Sequence, residues 1–103
     1  AYGDLHWIHT FPNAAIVVMS LLSGGGDFSK SVSMAASCGW DCDCSTGQVG
    51  ATVGALIGER AIPARWKEPI AGRLDTDVIG FSSIQLDRLT DWTCDVARRI
   101  AEA

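Results

Sequence analysis

The sequence predicts an all-α fold: a small orthogonal bundle of about four main helices in a single domain over residues 1–103. Three observations carry that expectation. Phe28, Val32 and Ala35 recur at helical spacing, and so do Leu86, Leu89, Thr93, Val96 and Ile100, the period of one helix face. The breaks between such segments fall on helix stop and start residues, Gly24-Gly25-Gly26, Asp27, Gly39 and Pro63. No run alternates apolar and polar residues long enough to compete as a strand.

Pro12 suits the first turn of the opening helix, where its missing N–H costs nothing. That helix continues from Ala14 through Leu22. Its side chains are apolar nearly all round, which predicts burial on every side. Asp27 is an N-cap for the second helix, whose polar edge is Ser29, Ser33 and Ser37. Residues 40–45 read as a loop, with Ser45 or Thr46 capping the third helix. Gly50, Gly54 and Gly58 follow at four-residue spacing. Interior glycines cost about 1 kcal/mol each relative to alanine, so they imply close approach, either of another helix or of a ligand. Ala64–Lys67 forms a short helical turn, residues 71–81 read as irregular chain, and Ser82 or Ser83 caps the last helix. That helix is amphipathic, with Asp87, Asp91, Asp95 and Arg98 on the other face.

The net charge is −4, and six arginines and two lysines are scattered. Without a basic stripe, nucleic acid is not an expected partner. The apolar runs "AAIVVMSLL" and "VGATVGALIG" are each about half of a membrane span. There is no basic, then apolar, export signal at the start. Four cysteines in such a chain fit reduced thiols and a cytoplasmic setting.

The segment "CGWDCDC" holds the chemistry. A zinc site would use Cys38, Cys42 and Cys44 with His6, His9 or Cys94. The cysteine spacings are x3 and x1 with no second pair, unlike structural zinc sites. A reactive Cys44 would gain from the helix N-terminus and lose to the flanking Asp41 and Asp43, so strong activation is not expected. In the third reading the carboxylates matter. Asp41 and Asp43 aimed into one cleft repel unless a cation lies between them, and magnesium, a hard ion, suits them. The helix N-terminus beside Ser45 and Gly47 can receive a phosphate or a diol, and Trp40 can stack on a ring or pack at the core edge. An Asx turn with both carboxylates solvated is the alternative.

"HTFPNAAIVV", "GGDFSKSV", "GWDCDCSTGQVGA" and "AIPARWKEP" follow one another in an order that resembles the C-terminal part of the ADP-ribosylglycohydrolase family, the dinitrogenase-reductase-activating-glycohydrolase-like enzymes. The resemblance implies an all-α fold, two Mg2+ or Mn2+ ions, and hydrolysis of the bond joining ADP-ribose to a protein or small molecule. It implies that Asp41 and Asp43 are metal ligands, with Cys44 where a threonine or serine hydroxyl is usual. It names no catalytic residue in this chain. The family's Thr-Asp-Asp cluster has no counterpart, and Asp4 stands alone. The expectation is therefore a C-terminal fragment that binds metal weakly and is inactive unless a complementing N-terminal segment joins it. The alternative is a truncated, non-catalytic binding module that forms a homodimer.

Overall fold

The computed structural model describes residues 6–103; Asp4 lies outside them. The chain divides after Pro63 into two compact units.

The first unit is built on three helices, α1 (Thr10–Gly24), α2 (Phe28–Ser37) and α3 (Cys42–Ile57), each packed on the other two. His9 caps α1 by accepting the Phe11 N–H at its Nδ1, 3.2 Å away. Gly25 ends α1 at φ 60° and returns its N–H to the Leu21 carbonyl. A left-handed residue there is the usual glycine stop. Asp27 caps α2 as expected, its Oδ1 accepting the Lys30 N–H at 2.7 Å. The centre is made of small residues: Ser20 and Gly24 from α1, Ser31, Val32 and Ala35 from α2, Ser45, Val49 and Val53 from α3. Small side chains let the backbones approach closely, so dispersion contacts accumulate at native density.

Local expectations are corrected at α1 and at the start of α3, and the choice left open for the glycine stripe falls to helix packing. α1 is not buried on every side: only Pro12, Ser20 and Gly24 are buried, while Phe11 and Leu22 are 68% and 78% exposed. Its small-residue face is the one that packs, which leaves the large residues outside. α3 starts at Cys42 rather than after Ser45, because Asp41 adopts φ 46° and its carbonyl already accepts the Ser45 N–H at 3.0 Å. The glycine stripe is not an open groove. A Cβ on Gly50 or Gly54 would meet the Phe28 ring at 3.9 Å, and one on Gly54 would meet Ile62 at 3.5 Å. Those are ordinary contacts, so the glycine face is covered by packing from its own unit. Gly58 is not interior but ends the helix at φ 79°.

The second unit holds α4 (Ala64–Lys67), a two-stranded antiparallel sheet and α5 (Leu86–Ala101). The sheet, β1 (Arg73–Asp75) with β2 (Ser83–Gln85), replaces part of the irregular chain expected there, in the register Leu74 opposite Ile84. Thr76 N–H extends it to the Ser82 carbonyl at 3.1 Å. Because Ser83 is spent in a strand, α5 begins after Gln85 and has no side-chain cap. Ile84 is buried, and Trp92 of α5 takes Phe81 edge-on at 5.5 Å and the Arg88 guanidinium over its ring at 4.7 Å. Among the described residues no helix is long and apolar enough to cross a membrane.

Candidate metal centre

The turn from α2 to α3 sets the geometry. Gly39 at φ 71° starts it, and Asp41 completes it in the left-handed region, which aspartate tolerates better than most residues. Asp41 holds the N-cap position, yet its carboxylate makes no cap hydrogen bond. An N-cap aspartate normally spends its oxygens on the helix N–H groups; here they are withheld. Asp43 lies in the first turn of α3, where the helix dipole favours a negative charge.

Asp41, Asp43 and Cys44 each offer a ligand atom, all within 4.8 Å of one another, with Asp41 half-buried and the other two exposed. Magnesium or manganese held at about 2.1 Å sets adjacent octahedral donors roughly 3 Å apart and opposite ones roughly 4.2 Å apart. Small side-chain rotations satisfy that. The two carboxylates therefore fit a hard divalent ion, and oxygen donors suit both metals. Cys44 does not complete such a set. Its thiol is pushed above the ordinary value, first by its hydrogen bond to Asp41, then by the charge of Asp41, by desolvation and by the charge of Asp43. Its S–H is donated to Asp41, and a soft thiol is a poor partner for a hard ion.

The structure does not bring the cysteines together as a zinc site. The Cys38 thiol donates to the Met34 carbonyl at 3.4 Å and the Cys42 thiol to the Ala36 carbonyl at 3.3 Å, both back onto α2. The nitrogens of His6 and His9 accept local N–H groups, and Cys94 lies in the second unit. Among the described residues, the group whose atoms lie close enough to hold a metal ion is Asp41, Asp43 and Cys44.

Of the expected ligand contacts, Ser45 is fully buried in the helix packing, its hydroxyl 3.5 Å from the Cys42 carbonyl. Gly47 is exposed on α3 with open space beside it. Trp40 lines an apolar hollow of about 270 Å³ with Pro12, Ala15, Ile16 and Cys38. Asp41 and Cys44 line a different pocket of about 330 Å³, whose wall includes Thr10, Asn13 and Ala14 of α1 and Gln48 of α3. Trp40 thus shares no hollow with Asp41. Thr10, Asn13 and Gln48 were not legible as site residues. Gln48 is 35 positions from Asn13, yet its Nε2 donates to Asn13 Oδ1 at 3.1 Å.

The family model for ADP-ribosylglycohydrolase matches residues 2–102. The chain belongs to the ADP-ribosylglycohydrolase family. The match takes in both compact units and the whole carboxylate turn. No curated protein and no solved structure matches it.

Proposed function

We propose that this chain carries half of an ADP-ribosyl hydrolase centre, in which Asp41 and Asp43 hold Mg2+ or Mn2+ beside the pocket that receives the ribose. The observation that supports it is the convergence of the two carboxylates, whose oxygens lie within 4.8 Å of each other, with the Asp41 carboxylate withheld from capping. A bound divalent ion supplies charge to align ribose hydroxyls and to make a water more nucleophilic. The chain's own part is to hold and orient. Asp43 is favoured by the α3 N-terminus, and the Cys44 S–H fixes the rotation of Asp41. Two carboxylates give few protein donors for an ion with six positions, so binding is weak and hydrolysis needs donors and a proton-transfer group from another segment.

Mn2+ titration followed by electron paramagnetic resonance, then ADP-ribose titration in its presence, tests this. Saturable Mn2+ binding should disappear in Asp41→Ala and in Asp43→Ala. An ADP-ribosylated peptide should not turn over with the chain alone. Mn2+ affinity equal in wild type and both variants would sink the assignment.

A second reading rests on Phe11, Leu22 and Leu56, all more than two-thirds exposed. Apolar side chains laid open in this way favour a partner surface. In that reading the chain is a non-catalytic module whose helical face is covered in a homodimer. Sedimentation equilibrium distinguishes it: a dimer that binds neither Mn2+ nor ADP-ribose would favour the module.

A further inference from the structure

The contact between Asn13 and Gln48 is poorly explained by folding. Gln48 is exposed, and fixing a long, exposed side chain costs about as much as one neutral hydrogen bond returns. Asn13 adds a cost of its own: its Nδ2 is buried without a hydrogen-bond partner, a situation native structures seldom keep without a reason. Both residues stand on the wall of the pocket that Asp41 and Cys44 also line. The bond between them engages the Gln48 NH2 group, which sets the plane of the carboxamide and leaves its oxygen as an acceptor. An acceptor held at one orientation suits a hydroxyl donor, and a ribose offers vicinal hydroxyls that each donate one hydrogen bond.

We propose that Gln48 is a specificity-determining contact for a hydroxyl of the terminal ribose of ADP-ribose, and that Asn13 is the residue that positions it. This rests on the reading of the Asp41–Asp43 site given above. Gln48 adds a directional acceptor that tells a ribosyl ligand from one that offers only phosphates.

The test compares the full chain with Gln48→Met, which keeps the length of the side chain and removes its polar atoms, and with Asn13→Ala, which frees Gln48. Three titrations are read for each: Mn2+ alone, ADP-ribose with saturating Mn2+, and ADP, which lacks the terminal ribose, with saturating Mn2+. Losing a single oriented hydrogen bond should weaken ADP-ribose binding by about tenfold in Gln48→Met and about threefold in Asn13→Ala. Mn2+ and ADP affinities should stay at the wild-type level. Equal weakening of ADP and ADP-ribose would make the pair a structural tie and overturn the proposal. A fall in Mn2+ affinity would place Gln48 in the metal site and overturn it too, as would ADP-ribose affinity unchanged by Gln48→Met. Mn2+ that fails to bind the wild-type chain would instead remove the site reading beneath it, which the first titration reveals before any variant is compared.

Discussion

Gly24 is the position where the small-residue core is most tightly constrained, and Gly24→Ala measures that constraint. A Cβ built there overlaps Ser31 Oγ and comes within 2.8 Å of Ser31 Cβ and 3.0 Å of Ser31 Cα. Rotation of the serine could move Oγ, but that atom is held 2.7 Å from the Asp27 carbonyl. Rotation cannot move Cβ or Cα, so α2 itself has to shift. Overpacking of a close-packed core costs about 1–3 kcal/mol, and a clash with main-chain atoms belongs in the upper half. Alanine returns roughly 1 kcal/mol of helix propensity over glycine. The net is a destabilisation of roughly 1–2 kcal/mol. For a chain of this size that corresponds to a fall in Tm of roughly 5–15 °C. Thermal unfolding followed by far-ultraviolet circular dichroism reads it, and urea titration separates a change in stability from a change in slope. Combining it with Ser31→Ala should give a smaller total loss than the two single changes added, because the second removes the atom the first strikes. A Gly24→Ala chain as stable as wild type, or more so, would refute the close contact on which the core is argued.

Two further changes test the site from either side. Gly47→Ala adds a methyl where nothing lies within 4 Å, inside α3, so it should stabilise the chain by about 1 kcal/mol in the same melts. It should also leave ADP-ribose binding unaltered, and a loss there would support Gly47 as a ligand contact. Cys44, its thiol pushed up mainly by the hydrogen bond to Asp41, should be alkylated by iodoacetamide more slowly than a cysteine in an unstructured peptide at pH 8, with its rise in rate displaced to higher pH. Asp41→Asn should speed it. The sign for stability follows: a folded-state value raised above the unfolded one favours folding while the thiol is protonated. That contribution is lost as pH rises through the folded-state value, so alkaline pH weakens the fold at this residue and does not strengthen it.

The helices were legible because their signals are local. Asp27, Gly25 and the period of Phe28, Val32 and Ala35 act within a few residues of where they stand, and α2 lies where they place it. The start of α3 was misplaced because the cue depends on one backbone angle. Ser45 and Thr46 look like caps, but a left-handed Asp41 lets the helix begin before them, and no composition rule announces such a residue. The same angle turns Asp41 from a cap into a candidate ligand. The β1–β2 pair escaped notice because three-residue strands are too short to show alternation.

The carboxylate pair could be read from two residues in one turn, whereas the wall opposite it could not. Asn13 and Gln48 meet only because α1 and α3 pack on each other, around small buried residues such as Ser20, Ser45 and Val49. Trp40 shows the converse. It is next to Asp41 in sequence, yet it lines a different hollow, against Pro12, Ala15 and Ile16 and not against Asn13 and Gln48. Nearness along the chain pointed to the two candidate carboxylates, while the contact across 35 residues supplied the polar wall. A site formed where two helices meet has one half that is local and one half that exists only after the core has closed.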